Sequence, residues 1–375
     1  MDASVPFIDL QAQYRRLKPQ IDARIHAVLD HGQFILGPEV AAFEQALGAF
    51  AGGAFVIGVS NGTDALMMAL MAHDVGPGDA VYVPSFTFTA TAEAVLMLGA
   101  TPVFVDVLED TCNLDAVDLA RAITETKNLR PKAVIAVDLF GLPAAYRYIS
   151  EVAEAHDMHV IADAAQSISG AIDGERVGKL APLTATSFFP AKPLGCFGDG
   201  GALFTRDAEM AEKLRSIRAH GTGKAKYDIV RLGMNARLDT LQAAILLVKL
   251  SVLEEERGNR ETLSRYYDAR LSNLVSLPAR PSGHQSAWAQ YTIQLDHRDR
   301  VQAALTKSGI PTQIYYPRPM HLQPAYSGYG GGIGSLPVCE KLSRRVLSLP
   351  MHPYMPENVA QRICDAVCEA VTLGN

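Results

Sequence analysis

Apolar positions along the chain follow two rhythms. At 11–29 they recur at helical spacing (Leu17, Ile21, Ile25, Val28), and His31-Gly32 supplies a helix stop. Gly37-Pro38 breaks the chain, and 39–50 reads as a second amphipathic helix. These two helices predict an N-terminal arm packed on a larger body or on a partner subunit. From residue 54 the rhythm changes. Short, mainly apolar runs at 54–59, 80–84, 101–106, 133–138 and 159–163 alternate with helical segments at 64–73, 90–98, 115–123 and 144–156. Two further strands, 185–189 and 201–205, flank a loop rich in Gly, Pro and Asp. The alternation predicts an α/β fold whose mainly parallel, seven-stranded sheet is covered by helices on both faces.

A long helix is expected from Arg237 through Leu247 to about residue 257, followed by polar, helical 259–273. The domain boundary is placed within it, giving a large domain over 1–248 and a smaller C-terminal α+β domain over 249–375. The latter holds a strand at 291–295, a helix at 300–308 and a Gly-rich loop at 327–334. That loop has no lysine after its glycines and no flanking strand–helix signal, so it reads as a flexible connection rather than a P-loop.

In sheets of this kind ligands collect beyond the carboxyl ends of the strands. Asn61-Gly62-Thr63, Phe86-Thr87-Phe88, Asp138, Asp163 and the 185–205 loop all fall there. Lys192 in that loop has two readings: a surface lysine in a tight turn, or a desolvated amine kept neutral enough to form Schiff bases. Gly62-Thr63 at a helix start offers backbone N–H groups, a hydroxyl and the positive helix end to a phosphate. Asp163 ends an apolar strand, where an unpaired carboxylate is costly and a cationic ring nitrogen would offset that cost. Gln166 is within reach of a ring hydroxyl, Ser187 of a phosphate, and Phe88 presents a flat apolar face. Each residue also has an ordinary role open to it, as a turn glycine, a helix-start threonine, a carboxylate paired with a core arginine, a backbone partner or a core aromatic. Taken jointly at one end of one sheet, they match the five features of pyridoxal phosphate: phosphate, pyridine nitrogen, ring hydroxyl, ring face and aldehyde carbon.

Composition narrows the class. The chain of 375 residues carries a net charge of −6 and no long basic run, which argues against nucleic acid or an anionic membrane as the main partner. The local basic cluster at 215–220 would suit a small anion but reads more simply as the solvated face of a helix. No signal-peptide core or membrane-length apolar span is visible, and the five cysteines have no metal-ligand or redox spacing. Neither HExxH nor paired CxxC occurs, so no metal is expected, and a reduced, cytoplasmic protein is the simplest account.

Ser187-Phe188-Phe189-Pro190-Ala191-Lys192-Pro193-Leu194-Gly195 followed by Gly198-Asp199-Gly200-Gly201 resembles the lysine motif of the DegT/DnrJ/EryC1/StrS nucleotide-sugar aminotransferases. Asn61-Gly62-Thr63-Asp64-Ala65-Leu66, Pro84-Ser85-Phe86-Thr87-Phe88, Asp163-Ala164-Ala165-Gln166 and Asn235-Ala236-Arg237-Leu238-Asp239 resemble further motifs of that family in the same order, as do Tyr316-Pro317 and His321. The resemblance implies a fold-type-I pyridoxal 5'-phosphate enzyme with Lys192 as Schiff-base lysine, Asp163 against the pyridinium nitrogen and Gln166 against the ring hydroxyl. It further implies that Gly62, Thr63 and Ser187 hold the phosphate and that Phe88 stacks on the ring. Asn235 would reach the phosphate of a neighbouring subunit, making a homodimer with active sites at the interface. Ala191 and Ala236 depart from the family's more usual hydroxyl residues.

The implied reaction moves an amino group from L-glutamate, through pyridoxamine phosphate, to a nucleotide-linked keto sugar. The wording of the motifs is most similar to the branch that aminates C3 of UDP-2-acetamido-3-keto-glucuronate-type sugars for surface polysaccharide or lipopolysaccharide O-antigen precursors. His220, Arg237, Tyr316 and His321 are the expected substrate contacts, with local structural roles as the alternative for Arg237 and His321. The rivals are a dTDP-3-keto-6-deoxyhexose 3-aminotransferase, a sugar dehydratase, which would be expected to lack the lysine, and a non-catalytic regulatory relative.

Overall fold

The computed structural model describes residues 5–225 and 227–372. Seven strands form the central sheet: β1 (Phe55–Val59), β2 (Asp79–Pro84), β3 (Thr101–Val105), β4 (Arg130–Val137), β5 (His159–Asp163), β6 (Leu183–Ser187) and β7 (Gly201–Thr205). Their order is β1-β7-β6-β5-β4-β2-β3. The pairs from β6 through β3 are parallel, whereas β7 runs antiparallel to both β6 and β1. The exception has a local cause. Every parallel neighbour is reached by a crossover, but β6 and β7 are joined by the loop 188–200 with no helix to reverse direction. Val81, Val83, Ile135 and Ile161 are wholly buried on one side of the sheet, and Tyr82, Val134 and Ala136 on the other, because helices cover both faces.

Register decides which residues meet. Val137 pairs with Asp163, and Asp163 pairs with Ala185. Asp138 therefore emerges beside the end of β5, and the lysine loop follows two residues beyond it on β6. The helix Gly62–Ala72 starts at the same rim, capped by Asn61, whose side chain accepts from the Asp64 N–H at 2.8 Å.

Several elements differ from the sequence expectation. The single long helix is two, Thr240–Leu250 and Leu253–Leu271, broken at Ser251-Val252. The first buries Ala243 and Leu246 in a cluster with Phe43, Leu47 and Phe188. The second sends Leu263, Tyr267 and Leu271 into a separate cluster with Tyr291, Ile293, Leu347, Leu349, Ile363 and Val367, and one straight helix cannot aim at both. The C-terminal part is not closed on itself, because Met320, Tyr326, Leu336, Cys339 and Leu342 return to the core of the main sheet.

The basic cluster at 215–220 is also different. Arg218 ends the helix Ala208–Arg218 and is buried, and its Nη1 donates to Glu44 Oε1 (2.6 Å) and to the Gly58 carbonyl (3.0 Å). The Gly-rich loop is largely exposed and is tied down at two points. Gly330 lies against the His321 backbone, and the Gly334 N–H donates to Glu340 at 2.7 Å. Among the described residues no helix is long and apolar enough to cross a membrane, and no group of three or more His, Cys, Asp or Glu is placed to hold a metal ion.

Candidate active site

The floor of the site is Asp163, buried at the end of β5. Its Oδ2 accepts from the Thr91 hydroxyl at 3.0 Å and its Oδ1 from the Ala165 N–H at 3.2 Å. Burial pushes the carboxyl up, and these two donors, with the charge of Lys192, pull it back. Lys192 shows the reciprocal effect. Desolvation pushes its amine down, opposed by the charge of Asp163, and the residue is half-buried rather than fully solvated.

The loop that carries Lys192 is fixed from several sides. The Lys192 N–H donates to Phe189 O at 2.8 Å, and the Cys196 N–H donates to Phe188 O at 2.8 Å. A Cβ on Gly195 would stand 2.3 Å from Pro190 O, so only glycine lets the chain fold back this closely. From the helix Thr240–Leu250, Gln242 Oε1 accepts from the Phe197 N–H (2.8 Å) and Lys249 Nζ donates to Gly195 O (2.6 Å).

A phosphate-sized cradle lies where the helix Gly62–Ala72 begins. Asn61 takes the N–H groups of Asp64 and Ala65, which leaves those of Gly62 and Thr63 without a partner among the described residues. A Cβ on Gly62 would stand 2.7 Å from Ser187 Cβ, so the bare glycine brings the helix end up against the Ser187 side chain. Unpaired N–H groups, a positive helix end and a hydroxyl are the donor set a phosphate requires. Phe88 stands 60% exposed on the loop after β2, a flat face available for stacking.

Gln166 is buried with both ends of its amide engaged. Oε1 accepts from the Phe140 N–H at 2.8 Å, and Nε2 donates to the Tyr316 hydroxyl at 3.2 Å. Tyr316 stacks on Phe140 with ring centroids 6.5 Å apart. Both residues hold left-handed backbone, with φ of 55° and 58°, a conformation non-glycine residues keep only where the surroundings impose it.

The remaining expected residues, Asn235 for a neighbour's phosphate and the others for substrate, divide. His220, Asn235 and Arg237 lie on two segments that pair beside β1, with bridges Ala219↔Asn235 and Val59↔Arg237. His220 and Asn235 are exposed and Arg237 is half-buried. His321 is a correction. It is 2% exposed; Nδ1 meets the Ser85 hydroxyl at 2.7 Å and Nε2 meets Glu340 at 3.3 Å. With both ring nitrogens occupied it ties the 320–340 segment to the end of β2 and has no atom left for a substrate. Thr91 and Phe140 escape a sequence reading because each acts through a tertiary contact, with nothing in its local sequence to mark it.

A buried carboxylate and a half-buried lysine beside a helix-start phosphate cradle on this sheet are the arrangement of a fold-type-I pyridoxal-phosphate enzyme. Residues 15–368 match the DegT/DnrJ/EryC1/StrS aminotransferase family, and the chain belongs to that family. It is 46% identical over 364 residues to UDP-2-acetamido-2-deoxy-3-oxo-D-glucuronate aminotransferase of Pseudomonas aeruginosa, covering 97% of this chain and 99% of that protein. It is 41% identical to dTDP-3-amino-3,4,6-trideoxy-alpha-D-glucose transaminase of Streptomyces venezuelae, covering 97% and 96%. Among solved structures it superposes on a DegT/DnrJ/EryC1/StrS aminotransferase from Brucella abortus with a TM-score of 0.95 at 50% identity, covering 98% and 99%. NtdA of Bacillus subtilis, solved with bound pyridoxamine phosphate, superposes with a TM-score of 0.91 at 29% identity, covering 99% of this chain and 86% of that one. The protein is a pyridoxal-phosphate-dependent aminotransferase.

Proposed function

We propose that the protein transfers an amino group from L-glutamate to C3 of a UDP-linked 3-keto sugar of the 2-acetamido-glucuronate type, as a homodimer in the cytoplasm. The observation that carries the chemistry is the convergence of Lys192, Asp163, Gln166, Gly62, Thr63 and Ser187 at one end of the sheet. The sugar rests on the 46% identity to the 3-oxo-glucuronate enzyme across nearly the whole chain. The 41% identity to a dTDP-sugar transaminase supports a dTDP-3-keto-6-deoxyhexose as the second reading. Exposed Asn235, together with the exposed apolar side chains Phe34, Ile35, Leu36 and Leu232, supports a subunit interface at the site. Five free thiols suit a reducing compartment.

Bound here, pyridoxal phosphate supplies the carbon that takes the amino group and the electron sink that lets the donor's α-proton leave. Gly62, Thr63 and Ser187 hold the phosphate. Asp163, oriented by Thr91 and the Ala165 N–H, holds a proton on the ring nitrogen. Lys192, its amine made less basic by burial, takes the α-proton and holds it at Nζ. Gln166 offers Nε2–H to the ring oxygen, and Arg237 and His220 meet anionic parts of the sugar nucleotide.

The test is direct. Wild type loaded with pyridoxal phosphate should change its visible spectrum on addition of L-glutamate. It should then aminate UDP-linked 3-keto sugars, detected by mass spectrometry, in preference to dTDP-linked ones. Lys192→Ala should bind the cofactor but give no glutamate-dependent change. Turnover at the wild-type rate by that variant would remove Lys192 from its role, and preference for dTDP-sugars would replace the substrate assignment by the second reading.

A further inference from the structure

Asp138 takes no part in the chemistry described so far, yet it is wholly buried at the rim where Asp163 and Gln166 sit. Its Oδ1 accepts from the Ala144 N–H (2.7 Å) and the Tyr146 hydroxyl (2.6 Å), and its Oδ2 from the Ser167 hydroxyl (2.6 Å). Its own N–H donates to the Asp163 carbonyl at 3.0 Å. One carboxylate thus ties together the end of β4, the far side of the turn 138–144 and the residue after Gln166. Asn113 braces the same turn from its other flank, accepting from the Leu139 N–H and donating to Leu142 O, each at 2.9 Å.

What the turn presents is the Phe140 N–H, held on left-handed backbone and donating to Gln166 Oε1. An amide can face an acceptor with its NH₂ or a donor with its oxygen, and occupying the oxygen decides between them. With Oε1 taken by Phe140, Nε2 is the atom left to face outward, toward the Tyr316 hydroxyl.

We propose that Asp138 is a positioning residue that locks the Gln166 amide with Nε2–H toward the cofactor's ring oxygen, by bracing the Phe140 turn on one side and Ser167 on the other. This rests on the reading of Gln166 as the ring-oxygen partner. Burial pushes the Asp138 carboxyl up to about 7 against its three donors, and Tyr146 and Asp163 are the ionisable groups coupled to it. A polar network of this kind is effective only when every member is satisfied, so removal of one acceptor is felt along it.

The experiment compares cofactor-loaded wild type with Asp138→Asn, Gln166→Ala and the double variant. It reads cofactor affinity and the pH midpoint of the visible absorption change. Asp138→Asn replaces an acceptor by a donor, so the Ser167 or Tyr146 hydroxyl loses its partner. Affinity should stay within about twofold, because the phosphate cradle is untouched, while the midpoint moves by about 0.5 pH unit or more in the direction seen for Gln166→Ala. The double variant should move no further than Gln166→Ala alone, since both changes act through one amide. An unmoved midpoint in Asp138→Asn, or additive shifts, would overturn the positioning role. An unmoved midpoint in Gln166→Ala would instead overturn the assignment of Gln166, and the proposal with it. If Asp138→Asn does not fold, Ser167→Ala, which deletes one hydroxyl from the same network, takes its place: a midpoint shifted toward that of Gln166→Ala supports the positioning role, and an unmoved one overturns it.

Discussion

Two regions of the site are built in opposite ways. The floor, formed by Asp138, Asp163, Gln166 and Thr91, is buried, and each side chain there is held by hydrogen bonds from at least one other segment. The ribbon that carries His220, Asn235 and Arg237 is exposed or half-buried at its functional side chains and anchored mainly through backbone bridges and one ion pair behind it. The difference matches the tasks proposed for these groups. Groups that hold a proton at a fixed atom gain from a dry, over-determined setting, where electrostatic effects are strong. Groups that meet a large, polar substrate or a second subunit have to remain open until it arrives.

The contrast is broken most severely at the ion pair behind the ribbon. Arg218→Met leaves the half-buried Glu44 without its cation, with only the Gly58 N–H as donor, and should cost about 3 to 4 kcal/mol in denaturant unfolding, with activity lost through displacement of the 234–238 segment. A loss below about 1 kcal/mol would show that the ribbon is held by its backbone bridges alone.

A smaller effect comes from histidines that the fold buries. His352 is 2% exposed, and burial holds it at about 4 in the fold, below the ordinary 6.5. The unfolded chain therefore takes up a proton that the fold refuses. Stability is full above pH 6.5 and falls as the pH drops toward 4, by up to about 3 kcal/mol for this residue. His73, also lowered to about 4 by burial, adds to the same slope. His352→Gln should flatten the fall in a pH series of unfolding curves, and adding His73→Gln should flatten it further. An unchanged slope in His352→Gln would assign the acid sensitivity to other groups.

The smallest effect on stability is expected at the ribbon's exposed face. Asn235→Ala should change unfolding by less than about 0.5 kcal/mol, yet the protein should release cofactor more readily on dilution if Asn235 reaches across to a partner's phosphate. Unchanged cofactor retention in that variant would confine the ribbon's role to substrate.

Much of the fold and the site is legible in the sequence. Alternation of apolar runs with helical segments places all seven strands to within a few residues and puts Lys192, Asp163, Gly62 and Phe88 at one rim. The features it does not reveal share a cause. Arg218 looks like one of a solvated cluster because periodicity does not show that Glu44 waits on another helix. The break at Ser251-Val252 carries neither Gly nor Pro, and exists because the two halves bury their apolar residues in different clusters.

By itself the sequence determined the element order, the class of sheet and the residue types gathered at its carboxyl end, since all of these follow from local periodicity and from which side chains interrupt it. Tertiary structure alone decided the partners. Thr91 meets Asp163 across 72 residues, Gln166 meets Tyr316 across 150, and Ser85 occupies His321 across 236. A side chain's local pattern states that it is polar and where it falls on its element. Whether a buried amide offers its nitrogen or its oxygen, or a histidine is free or spent, depends on groups brought beside it only when the sheet closes and the C-terminal segment packs back onto it.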